Sequence, residues 1–193
     1  MINGRLTGLA LLLCTLVSCA TGVVRGSFTG PRYVNEVRRY SFALPANWIV
    51  ASDSPAAQSA EFAVRPADDR GAIVLGFSAP GRAFGDLGHP RTLVGPDRDR
   101  MLRRLFPGTP GDELESFTTR VVEHGSGNRF LVASRPRICT LDERLQAAKR
   151  HLSSIDHAAA IEKNGVSYVL YANLCSPDAD EGFATILESM TFW

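Results

Sequence analysis

Apolar and polar positions alternate with a period of two over most of this chain and switch to a helical period near its middle and its end. In "YSFALPANW", Tyr40, Phe42 and Leu44 are separated by Ser41 and Ala43, the pattern of a half-buried strand. Pro45, Ala46 and Asn47 break that strand, and Trp48, Ile49 and Val50 begin the next. "AEFAVRP" alternates again, with Ala60, Phe62 and Val64 on one face. "GAIVLGFSAP" is continuously apolar between Gly71 and Pro80, which suits a central strand. The first third thus predicts antiparallel strands joined by short turns. Residues 80–112 are rich in Gly and Pro and read as loops, after which "LESFTTRVVEHG" and "NRFLVASRPRIC" resume the strands around a turn at 125–128. Asn164-Gly165 between two strand-like runs predicts a hairpin with a two-residue turn, placing Ile161 opposite Tyr168 and Ala158 opposite Tyr171.

Helical spacing appears in "DRDRMLRRLF", residues 97–106. Met101, Leu102 and Leu105 form its apolar stripe, and Asp97 and Asp99 lie near its positive N-terminal end. At the C-terminus, Ser176 suits an N-cap with Pro177 at the first helical position, followed by Asp178, Asp180 and Glu181. Phe183, Ile186, Leu187 and Met190 then fall on one face. In "TLDERLQAAKR", Thr140 and Glu143 have capping-box spacing, which predicts a short polar helix. Strands, helix, strands, short helix, hairpin and final helix make an α+β protein: an antiparallel sheet flanked by helices.

The 193 residues suit one domain. Hydrophobic content of 45% and charged content of 21% are ordinary for a globular protein. The 21 basic and 20 acidic residues nearly balance, which excludes a general nucleic-acid or anionic-membrane binder.

The N-terminus changes the picture. One cation, Arg5, precedes an apolar run at 6–17 that is too short to span a bilayer comfortably, and small residues follow it. That is the layout of a signal peptide, and its end, "LVSC" (Leu16, Val17, Ser18, Cys19), resembles the lipobox of bacterial lipoproteins. The resemblance implies cleavage before Cys19, whose thiol then carries a diacylglycerol and whose amine is usually acylated. The alternatives are an ordinary secretory signal cut after Ala20, or a retained hydrophobic helix. Two or three acyl chains hold durably, since each buried methylene contributes about 0.8 kcal/mol. Ala20, rather than Asp, follows the cysteine, which by the same resemblance implies the outer membrane, facing the periplasm, or the outer face of the cytoplasmic membrane in a monoderm. The expected organisation is a signal peptide at 1–18, a lipidated Cys19 with a flexible tether to 32, and one folded domain at 33–193.

Of the four cysteines, Cys14 then leaves with the signal and Cys19 is acylated, so Cys139 and Cys175 remain. Extracytoplasmic space is usually oxidising, which makes them a candidate disulfide worth roughly 4 kcal/mol in the chain-entropy model. The alternative is two buried thiols.

No catalytic or cofactor signature is found: no nucleophile elbow, phosphate-binding loop, zinc-binding His pair or dinucleotide fingerprint. His89, His124, His151 and His157 are scattered, and no metal site is expected. Asp112, Glu113 and Glu115 read as solvated acids beside Gly-Pro loops. Arg98, Arg100, Arg103 and Arg104, with Arg91 nearby, are the best positional candidates for contacting an anion or a partner, because guanidinium forks suit phosphate and carboxylate. The opposing reading is a solvated face balanced by Asp97 and Asp99. Trp48 is expected in the core, and Trp193 as a lid on it, the alternative for Trp193 being an interaction tip.

"YSFALPANW" and the closing "YVLYANLC…FATILESMTF" resemble the two ends of PsbP-like domains, over about a quarter of the chain. The resemblance implies an α/β/α sandwich around an antiparallel sheet and a binding or assembly module rather than an enzyme. The expected function is a lipid-anchored, non-catalytic module that binds an envelope protein; the alternative is a lipoprotein with a small-ligand or lipid pocket between sheet and helices.

Overall fold

The computed structural model describes residues 23–69, 71–81, 93–135, 156–174 and 177–193. These form strands β1 (Ser27–Thr29), β2 (Arg32–Asn35), β3 (Tyr40–Ala43), β4 (Trp48–Val50), β5 (Phe62–Pro66), β6 (Ile73–Pro80), β7 (Thr118–Glu123), β8 (Arg129–Ser134), β9 (His157–Lys163), β10 (Val166–Asn173) and β11 (Thr191–Phe192). The helices are α1 (Gly95–Leu105), α2 (Gly111–Glu115) and α3 (Pro177–Ser189), with a single 3-10 turn at Pro55–Gln58. The α+β class and the antiparallel sheet are as the pattern predicts.

The main sheet has seven strands in the order β4-β5-β6-β10-β9-β8-β7, every pair antiparallel. It consists of two meanders, β4-β5-β6 and β7 to β10, zipped together where β10 pairs with β6 from Ile73↔Asn173 to Pro80↔Val166. β6 is central, and this explains its lack of alternation: both faces are covered. On one face Ala72 and Val74 join Phe62, Phe130, Ala159, Ile161, Leu170 and the apolar stripe of α3. On the other, Ile73 and Leu75 pack with the 3-10 turn, and Leu131, Ala158, Ala160 and Val169 pack under α1 and α2. The C-terminal helix buries Phe183, Ile186, Leu187 and Met190, the residues its spacing singled out. The hairpin also has the expected register, Tyr168↔Ile161 and Tyr171↔Ala158, with Asn164 (φ 53°) and Gly165 (φ 74°) in the left-handed turn positions.

Several expectations are corrected. A second sheet, β1-β2-β3-β11, covers part of the α3 face. β3 and β4, adjacent in sequence, thus belong to different sheets, and the Pro45–Asn47 break is the point where the chain changes layer. Ser41, expected to face solvent, is buried and bonds the Thr191 hydroxyl at 2.8 Å. The folded body begins earlier than residue 33. β1 lies inside the segment expected as tether, because Phe28 packs its ring 5.0 Å from Tyr33 and 6.5 Å from Phe42. α2 forms where the expected Gly/Pro loop meets the expected strand, since Leu114 finds a buried place against α1 and β8. Trp193 is 47% exposed and closes no core, whereas Trp48 is buried against Gly182 of α3. Cys19, Cys139, Cys175, Ser176, the capping-box helix at 140–143, Arg91, His89 and His151 lie outside the described residues.

Candidate functional site

Two places gather polar and aromatic groups. The first is a buried junction between the sheets. Glu61, just before β5, is 6% exposed, and its Oε2 accepts hydrogen bonds from the Tyr40 hydroxyl at 2.7 Å and from Asn35 Nδ2 at 3.4 Å. Its Oε1 accepts from the Ser78 hydroxyl and stands 3.7 Å from Arg38 Nε. The Tyr33 hydroxyl donates to the Glu61 carbonyl and the Tyr168 hydroxyl to the Arg38 carbonyl. Buried carboxyl groups persist only when paired and bonded in this way. Both carboxylate oxygens of Glu61 are hydrogen-bonded, with Arg38 Nε at ion-pair distance only, so the junction reads as a structural clasp.

The second place is an open cleft of about 540 Å³ between the main sheet and the helices, within the range of about 300–1,000 Å³ usual for small-molecule sites. β6 and β10 raise Phe77 and Tyr171 on the same face, with ring centres 5.7 Å apart. The Tyr171 hydroxyl donates to the Leu105 carbonyl at 2.6 Å, fastening the end of α1 to the sheet, and burial pushes that phenol up to about 12. After α1 the chain turns out through Phe106, Pro107, Gly108 (φ 82°), Thr109 and Pro110 into α2. Phe106 and Phe117 stack at 4.3 Å between ring centres. Arg135, beyond the end of β8, lays its guanidinium 5.1 Å over the Phe117 ring, and its Nη1 donates to Glu113 Oε2 at 3.1 Å. An apolar aromatic interior with one ion pair at the mouth suits binding and orientation of an amphipathic molecule.

The arginines singled out by the sequence are not equivalent in their surroundings. Arg98 turns inward, with its Nη2 donating to the Phe117 carbonyl and its Nη1 to Asp99 at 2.8 Å. Arg100 pairs with Asp97 at 2.8 Å, while Arg103 and Arg104 are exposed. Of the acidic trio, Glu113 is the one that reaches the cleft. His157 Nδ1 is hydrogen-bonded to buried Asp156 at 2.8 Å, and the His124 ring meets Phe130 edge-on. Among the described residues, no group of three or more His, Cys, Asp or Glu side chains could hold a metal ion. Sequence reasoning missed Arg135, Phe77, Phe106 and Phe117 as one set. The one local signal was a Pro/Gly loop, "PGTPG", with Phe106 before it and Phe117 shortly after.

No protein-family model matches the sequence, and no curated protein matches it. Among solved structures, the chain is similar to cyanobacterial PsbP (CyanoP) from a Synechocystis species. The TM-score is 0.44 and the identity 13%, over 92% of this chain and 99% of that one. It is also similar to a crystal structure from Bacteroides thetaiotaomicron, with TM-score 0.39 and 8% identity, over 86% of this chain and 49% of that one.

Proposed function

We propose that this chain is a lipid-anchored extracytoplasmic protein, PsbP-like in its terminal motifs, whose single domain binds a small amphipathic ligand without transforming it. The observation that carries the ligand is the cleft between β6, β10, α1 and α2, which is aromatic within and charged at its mouth. Its ionisable groups are already engaged: Tyr171 with a backbone carbonyl, Arg135 with Glu113. Among the described residues these pairings tie up the tyrosine hydroxyl and the guanidinium, which supports binding rather than bond-making. The lipobox supports the anchor, and the outer membrane is the proposed location. The test is to purify the protein from native envelopes, unfold it, and analyse released small molecules by mass spectrometry. A stoichiometric compound, lost on Phe117→Ala, is the expected result; repeated recovery of none overturns the reading.

A second reading, binding of an envelope protein, is favoured by Trp193. Its side chain is 47% exposed while its backbone N–H is held by the Arg39 carbonyl at 3.2 Å, with Val37, 71% exposed, in the preceding turn. Exposed tryptophan is over-represented where proteins meet. A photo-crosslinker at position 193 that captures one envelope protein supports this reading, and a uniform background removes it.

A further inference from the structure

The ion pair at the cleft mouth is made of unequal partners. Arg135 is 20% exposed, stacked on Phe117, and its backbone N–H donates to the Asp156 carbonyl at 3.0 Å, so its guanidinium is held in place. Glu113 is 51% exposed and belongs to a helix of five residues, so its carboxylate reaches the guanidinium from the solvent side. A half-exposed carboxylate gains little from such a pair, and another carboxylate can take over the same donors at little net cost. Behind the guanidinium the walls turn apolar, with Phe77, Phe106, Phe117 and Tyr171. A neutral apolar molecule fills that space but leaves the Arg135–Glu113 pair as it is, and a cation meets the guanidinium's charge. A carboxylate on an apolar body satisfies both regions together.

We propose that the cleft binds an amphipathic carboxylate, whose headgroup replaces Glu113 on Arg135 and whose apolar body lies among Phe77, Phe106, Phe117 and Tyr171. This rests on the reading of the cleft as a ligand site and narrows it to one charge class. Glu113 is then a built-in competitor that occupies the headgroup position when the ligand is away. Its removal is expected to strengthen binding, which a purely structural ion pair would not produce.

The experiment is calorimetric titration of the full chain in lipid nanodiscs, with empty nanodiscs as the blank, using phenylbutanoate, phenylbutanol and phenylbutylammonium. The carboxylate is expected to bind about tenfold more tightly than the alcohol, the ammonium more weakly than either, and Arg135→Gln to erase the difference. Glu113→Gln is expected to tighten carboxylate binding by about threefold and to leave alcohol binding unchanged. Equal binding of acid and alcohol, both lost on Phe117→Ala, overturns the carboxylate inference while the ligand site stands. Weaker carboxylate binding in Glu113→Gln overturns the inference as well. If none of the three probes binds at millimolar concentration, the ligand reading falls and takes this inference with it.

Discussion

The Tyr40 hydroxyl donates to Glu61 Oε2 across 2.7 Å, and with it the four-stranded sheet is tied to the seven-stranded one. Tyr40 sits on β3 and is 2% exposed; Glu61 precedes β5 and is 6% exposed. Neither group has water to fall back on, so the bond is worth more than a surface one. Tyr40→Phe keeps the ring and its edge contact with Tyr168 at 5.2 Å but leaves a buried carboxyl oxygen short of a donor. The expected cost is about 1.5–3 kcal/mol, read as a lower urea midpoint at unchanged slope.

Gly182 in α3 sets two effects against each other. Alanine is the better helix former by about 1 kcal/mol, so propensity alone predicts stabilisation. A Cβ at this position would come within 2.3 Å of the Trp48 ring, which is itself buried. Overpacking of this kind costs typically 1–3 kcal/mol, so Gly182→Ala is expected to lower the melting temperature. Combining it with Trp48→Leu should cost less than the two changes added together, because the clash disappears with the indole. A double-mutant cycle measured by thermal unfolding checks the coupling.

All four tyrosines are held in the protonated form by burial. Tyr171 is pushed up to about 12, and Tyr33, Tyr40 and Tyr168 are raised above the ordinary 10.0, with Glu61 adding to burial in those three. A group whose folded value is raised favours the fold while it is protonated. That stability is complete below the unfolded value and is lost as pH climbs through the folded one. Stability is therefore expected to fall steeply between about pH 10 and pH 12. Ultraviolet difference spectra should show tyrosinate appearing together with unfolding, and Tyr171→Phe should make the decline shallower.

The anchor is tested at one sulfur. Cys19→Ser is expected to move the protein from the membrane fraction to the soluble fraction and to remove the acyl mass from its N-terminal tryptic peptide. The folded domain should keep the same melting temperature, because among the described residues the hydrogen bonds to the body begin at Val24, Arg25 and Gly26, all beyond Cys19.

The proposed Cys139–Cys175 bridge predicts a thiol count. The unfolded, unreduced, lipidated chain should react with no thiol reagent, and the reduced chain should react at both cysteines. Loss of the bridge by Cys139→Ser should lower stability by roughly 4 kcal/mol.

By itself the sequence determined the local pieces: the Asn164-Gly165 hairpin and its register, the apolar stripes of α1 and α3, the central place of β6 and the burial of Trp48. These follow from periodicity and turn chemistry, which act over a few residues and are written in the chain. What only the tertiary structure decided are choices between distant partners. Nothing in "YSFALPANW" says that β3 and β4 join different sheets. Glu61 alternates like a solvent-facing residue, yet it is buried once the second sheet arrives with Tyr40 and Asn35. The cleft draws Phe77, Phe106, Phe117, Arg135 and Tyr171 from five separate places along the chain. Side chains so far apart meet only because β10 pairs with β6 while α1 and α2 cross above them, and no window of local sequence carries that pairing.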